Sequence, residues 1–242
     1  MSRSNPTVNE PNPAVRWFEW NGEHGKIRYY DKDAKVNIDV PLPFTFLLLD
    51  ELASVRGWHD ASESGIYSNE VRDTRTDTLL VKSFKGGTLV EGLYKDIKDR
   101  ANTLGGQFNA NCYIAFKHNG ALAIGSLRLK GSALGAWMEF RKANRKALYE
   151  SSVSIAGFTE GKKGRIVFRT PNFEVKPTSE ETNRAAIALD KEFQAWLKAY
   201  LGRRTNDQAE PPANDDDHDY AEDHISDIEN HGAPLTDDDI PF

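Results

Sequence analysis

Apolar and polar residues alternate with a period of two along much of the chain. In Lys26–Asp31, Ile27 and Tyr29 fall on one side and Lys26, Arg28 and Tyr30 on the other. That is the pattern of a half-buried strand. Residues 79–84 and 111–117 are rich in Val, Ile and aromatic residues and read as further strands. Asn119-Gly120 separates two apolar runs and predicts a tight hairpin that returns through Ala121–Lys130. A third pair, 152–158 and 164–169, is expected to be joined by residues 159–163. The continuous apolar run 44–49 fits either a buried strand or the start of a helix.

Three segments change to helical spacing. Residues 93–104 form a short candidate stopped by Gly105-Gly106. In 132–149, Trp137, Phe140, Asn144 and Leu148 lie near one face, and Arg141/Arg145 and Lys142/Lys146 form basic rows four residues apart. The last helix follows Pro177, where Thr178-x-x-Glu181 fits a capping box. Leu189, Phe193, Trp196, Leu197 and Tyr200 then repeat at helical spacing, and Gly202 is a plausible stop. An apolar face this aromatic is expected to pack on the body. The pattern as a whole predicts a mainly β domain over 14–204, with roughly eight short strands and two or three helices. A flexible arm is expected over 1–13 and a disordered acidic tail over 205–242.

Composition then narrows the class. Of 242 residues, 38% are hydrophobic and 28% charged, and five are Trp. The chain is polar yet able to bury a core, which excludes general disorder. The single cysteine, Cys112, excludes an internal disulfide and a multi-cysteine zinc site, and its apolar surroundings read as burial. No apolar run approaches a membrane span, and the first residues do not read as a secretory signal, so a cytoplasmic protein is expected. The net charge of -6 hides two opposed parts: residues 1–205 carry +7 and residues 206–242 carry -13. Within the body, residues 117–176 hold 12 Lys or Arg against four acids. Such asymmetry points to nucleic-acid binding or to a polyanion mimic.

Catalytic motifs fail on spacing. Gly157-x-x-x-Gly161-Lys162-Lys163 is one residue too short for a phosphate loop, and Lys163 stands where Ser or Thr is required. Asp31-x-Asp33 opens like a calcium loop, but Val36 and Leu42 occupy the glycine and glutamate positions. His24, His59 and His118 are scattered, and His218 and His224 lie in the acidic run. No nucleophile is matched with a base. A non-enzymatic protein without metal or cofactor is expected.

A protein that binds single strands without sequence preference needs cations along a groove and aromatic rings on which bases stack. The strands offer Lys26, Arg28 and Tyr30; Lys82 and Phe84; Tyr113 and Lys117; Arg128 and Lys130; and Arg165 and Arg169. Trp17, Trp20 and Trp58 are further stacking candidates. At the other end, Asp237, Asp238 and Asp239 precede Ile240, Pro241 and Phe242. A partner could take the Phe242 ring in an apolar pocket and meet the carboxylates with basic residues.

That ending, DDDIPF, resembles the tip of bacterial single-stranded-DNA-binding proteins over six consecutive residues. The body is not similar to the bacterial protein. Instead, GKIRYYDKDAKVNIDVPLPFTFLLLDELASVRGW (25–58) and GIYSNEVRD (65–73) resemble a family of tailed-phage single-stranded-DNA-binding proteins, a likeness that runs to about Phe116. The resemblance implies an OB-fold core, elaborated by extra strands and the last helix. It implies a protein that coats single-stranded DNA during replication, recombination or repair, with partner proteins held at residues 235–242. Two other readings stand beside it: a strand-annealing protein, and an acidic-tail interaction protein that mimics DNA or acts like a histone chaperone.

Overall fold

The computed structural model describes residues 11–203. The first strands are β1 (Arg16–Asn21), β2 (Lys26–Asp31), β3 (Val36–Val40), β4 (Phe44–His59), β5 (Ser64–Ser68), β6 (Leu79–Ser83) and β7 (Gly87–Gly92). After α1 (Tyr94–Thr103) come β8 (Gly106–His118) and β9 (Ala121–Lys130), then α2 (Gly131–Ala143). β10 (Ser152–Lys163), β11 (Ile166–Lys176) and α3 (Glu180–Leu201) complete the described chain. The protein is mainly β. Its sheet runs β3-β2-β1-β9-β8-β4-β5-β6-β7, with β10 and β11 branching from β4. It is mixed, because β1 pairs β9 in parallel while the other pairs are antiparallel.

The Asn119-Gly120 hairpin forms as expected. Both residues have positive φ, 49° and 86°, and His118 faces Ala121 across the turn. Two positive φ values match the twist that joins right-handed strands. The run 44–49 is a strand buried on both sides. Phe44, Phe46 and Leu48 enter one core, and Leu47 and Leu49 enter another. A bulge between Leu48 and Asp50 then shifts the phase of β4. After it, the odd residues Ala53 and Val55 face the first core, and Leu52 the second. One inserted residue flips every later side chain, which is how a strand of 16 residues serves both layers.

The first core lies between the sheet, α1, α2 and the start of the β10–β11 hairpin. Ile27, Val55, Leu127, Leu129, Trp137 and Val153 are inaccessible to solvent there. The second lies on the opposite face, where Phe193, Trp196, Leu197 and Tyr200 of α3 cover Leu47, Leu49, Tyr113 and Ile124. The last helix therefore packs on the body as its spacing predicts.

Three boundaries differ from expectation. The cap of α3 is Ser179, whose Oγ accepts from the Thr182 N–H at 3.2 Å, whereas the Thr178 hydroxyl is buried without a partner. α2 stops at Ala143. Asn144 turns its side-chain amide onto the Phe140 carbonyl at 2.9 Å, and a short 3-10 turn, Ala147–Tyr149, then brings Leu148 into the core. Asn competes in this way with helix continuation. Residues 159–163 are strand, not connection: the turn is Gly164-Arg165, and Lys163 faces Ile166. Most of this ribbon beyond Ile155 is solvent-exposed, so no buried face imposes the alternation that identifies a strand.

The sheet is not closed. Between β11 and the β1–β2 corner, the Arg169 N–H donates to the Gly22 carbonyl and the Trp20 indole donates to the Arg169 carbonyl, each at 2.8 Å. Asn12, expected in a flexible arm, donates to the Tyr113 hydroxyl at 2.8 Å. The remainder of the arm up to residue 10, the acidic tail and its tip lie outside the described residues. Among the described residues, no helix is long and apolar enough to cross a membrane.

Candidate nucleic-acid interface

Strand alternation sends Phe18 and Trp20 of β1, Ile27 of β2, and Leu127 and Leu129 of β9 into the first core. Their neighbours Trp17, Glu19, Arg28, Tyr30, Ser126 and Arg128 must therefore point to the other face. Register gathers them. Glu19 faces Arg28 on one side and Arg128 on the other, and Trp17 faces Ser126. Together they line a cleft of about 250 Å³ beside the footprint of α3. Arg16, Lys32, Asn37, Arg56 and Asn111 also line it, and none of these stood out in the sequence. Asn37, Arg56 and Asn111 come from strands far apart in the chain, so only the pairing β3-β2-β1-β9-β8-β4 makes them neighbours.

The electrostatics centre on Glu19. Its two carboxylate oxygens each accept from a guanidinium, one from Arg28 and one from Arg128. All three side chains are mostly shielded from solvent. One carboxylate between two guanidiniums leaves a net positive charge and holds both planes in place. At the rim, Arg16 lies 3.6 Å from the Asp31 carboxylate and 4.3 Å from the Tyr29 ring centre. The Ala34 N–H, the Asp33 N–H and the Arg16 charge hold the Asp31 carboxyl below its ordinary value.

Behind the cleft a buried polar chain ties it to α3. Asn111 Nδ2 and the Tyr113 hydroxyl each donate to Glu70 at 2.6 Å, and the Glu70 N–H donates to the Tyr200 hydroxyl at 2.8 Å. Burial pushes the Glu70 carboxyl up. The Tyr113 hydrogen bond, the Arg56 charge and the Asn111 hydrogen bond oppose that shift.

Most of the sequence-predicted residues share this face. Lys26 pairs with Asp39 at 2.5 Å. Trp58, two residues beyond Arg56 on β4, and Lys82 on β6 extend the face past the cleft, and Phe84 packs against Tyr67 with ring centres 4.9 Å apart. Lys130 lies opposite Asn109, and Lys117 is exposed beyond the helix footprint. Two aromatics do not present their rings. Trp20 is 5% exposed and belongs to the first core. Tyr113 is 1% exposed beneath Phe193 of α3. Arg165 and Arg169 are not in the cleft either. Arg165 is at the ribbon turn, and Arg169 pairs with Glu160 and donates to the Glu23 carbonyl.

Cys112 is buried, and burial first and the Glu51 charge second push its thiol well up, as suits a packing residue. Among the described residues, no three His, Cys, Asp or Glu side chains converge as a metal site requires.

The class defined so far is a mainly β protein with an open mixed sheet and a cation-lined, aromatic-bearing sheet face. No family model, curated protein or solved structure matches the chain.

Proposed function

We propose that this protein binds single-stranded DNA with little sequence preference, as the resemblance to the tailed-phage family implies. The observation that carries the reading is the cleft, where Trp17, Tyr30, Arg28 and Arg128 converge from β1, β2 and β9 around one carboxylate. Phosphates can compete with Glu19 for the guanidiniums, and the rings offer faces to unstacked bases. An OB-type arrangement fits the hydrogen bonds between Arg169 and the β1–β2 corner, which bring the last strand toward the first across the gap in the sheet. Coating DNA in replication, recombination or repair is the role this reading implies, in the cytoplasm of a bacterial host.

Oligo(dT) titrated over a salt series, followed by Trp fluorescence with an equal-length duplex as control, tests the reading. Preference for the single strand, Trp quenching and a log K against log salt slope of about -0.7 per phosphate contacted are expected. If neither DNA binds at low salt, the reading is wrong.

The segment Asp237–Phe242 is proposed to capture partner proteins of those pathways, while the charge of -13 over residues 206–242 competes with DNA for the body. Deleting residues 206–242 should tighten DNA binding, most at low salt where screening is weakest. Equal affinity of the two forms at every salt concentration would remove the competition from the account. Replacing Phe242 by Ala should spare DNA binding and abolish partner capture.

A further inference from the structure

The excess positive charge of residues 117–176 is not concentrated in the cleft. There, Arg28 and Arg128 share Glu19, and at the rim Arg16 is matched by Asp31. Among the described residues, Lys162, Lys163 and Arg165 at the β10–β11 turn carry no ion pair, and all three are exposed. Phe158 and Val167, on the same ribbon, are 39% and 41% exposed. Register sets Val167 directly opposite Lys162, and Phe158 lies on that same ribbon face four residues before Lys162. Unmatched cations interleaved with accessible apolar and aromatic surface are the composition of a single-strand contact.

The ribbon meets the turn of the hairpin whose opposite face lines the cleft, reaching it from the first-core side, where the Trp20 indole donates to the Arg169 carbonyl. Its Arg169 N–H is bonded to the Gly22 carbonyl at the β1–β2 turn. Gly25 in that turn has φ 65°, and a Cβ there would lie 2.5 Å from the Phe158 ring, so the ring sits directly on the turn. The cleft opens at the other end of the same hairpin, at Arg16 and Glu19 of β1. A six-residue strand spans roughly 20 Å. Lys26 stands beside the turn, on the way from one surface to the other.

We propose that the β10–β11 ribbon turn is a second single-strand contact, taking the stretch of DNA that leaves the cleft along the β1–β2 hairpin and rounds its turn. The inference rests on the cleft being the primary site. It makes the protein's grip depend on strand length: a short strand fills the cleft alone, and a longer one gains the ribbon.

The test uses the full chain carrying K162A/K163A/R165A, titrated over a salt series with two oligo(dT) lengths. One is about 10 nucleotides, within a single site, and the other is several times longer. A control variant, K142A/R145A/K146A, removes the same charge from the exposed end of α2 and the turn that follows it. The ribbon variant should keep the short-strand affinity and lose about tenfold on the long strand, with a salt slope shallower by about 2 for three contacts. The α2 variant should lose little on either. Unchanged long-strand affinity and slope in the ribbon variant overturn the proposal. So does an equal loss in the α2 variant, which would mean bulk charge, or an equal loss on both lengths, which would place the ribbon in the primary site. A change in the sedimentation of the protein alone would mean a contact between copies and would also overturn it. If wild type binds neither length, the cleft reading fails. If R28A/R128A binds normally while the ribbon variant does not, the ribbon is the primary site and its place as second contact is refuted. Should the triple variant melt early, K162E alone carries the same comparison.

Discussion

Replacing Arg28 and Arg128 together by Ala is expected to lower affinity for oligo(dT) on the order of 100-fold at moderate salt, if the cleft is the DNA site proposed above. Each guanidinium is a charged donor worth roughly 1.5–3 kcal/mol when it meets an acceptor, and each 1.4 kcal/mol is about tenfold in affinity. The lower part of that range applies, because each guanidinium must first be released from Glu19. The double variant also leaves the Glu19 carboxylate without either partner in the cleft, which adds repulsion toward phosphate. The salt slope should become shallower by about 1.4, since two contacts are lost at roughly 0.7 each. Glu19→Gln tests the same geometry from the other side. It removes the negative charge that both guanidiniums share and should tighten binding several-fold, at some cost in stability from the two ion pairs lost. Affinity that stays within about twofold of wild type in the double variant would remove the cleft from the binding path.

Trp137→Ala is expected to be the most destabilising single change. The ring is fully buried, with centroids 5.2 Å from Phe173, 5.9 Å from Phe140 and 6.4 Å from Phe46. Truncating such a ring costs about 3–5 kcal/mol, a large part of the 5–15 kcal/mol typical of a domain. The indole also donates to Glu51 at 2.7 Å, and Glu51 is shared with Arg141 at 2.6 Å. The change therefore loosens α2 from β4 as well as opening a cavity. Urea unfolding followed by circular dichroism measures the loss. Trp137→Phe keeps most of the packing and should cost clearly less. A loss under about 1 kcal/mol for Ala would mean that the site collapses without penalty, contrary to the packing described.

Which parts of this architecture were legible beforehand follows from burial. Lys26–Asp31 and Ala121–Lys130 have the bounds that alternation predicts, because each has one face in the core. Asn119-Gly120 was legible because two positive φ values demand those residue types. The α3 face was legible because Phe193, Trp196, Leu197 and Tyr200 all reach one core. The ribbon strands at 159–163 were not, because a segment exposed on both faces carries no periodic signal. The length of β4 was hidden by its bulge, since a phase shift at Leu48/Asp50 breaks a period-two pattern into pieces too short to read as one strand.

The candidate site divides along the same line. The side of β2 that carries Arg28 and Tyr30 was fixed by the local pattern, as was the side of β9 that carries Arg128. That Trp20 and Tyr113 are covered was not, because a ring in a strand reads the same whether a helix or solvent lies over it. Arg16, Arg56 and Asn111 gave no local sign either, because their place in the cleft depends on which strands pair.

By itself, the sequence determined what neighbouring residues can decide: strand faces, the tight hairpin, the aromatic face of the last helix, and the separation of a basic body from an acidic run. Only the tertiary structure decided that β1 pairs with β9, so that Glu19 lies between Arg28 and Arg128. It also decided that α3 covers part of the face and leaves the cleft open beside it. The physical reason is that side-chain direction along a strand follows from the next residue in the chain. Strand order and helix docking depend instead on contacts between residues from about fifty to well over a hundred positions apart.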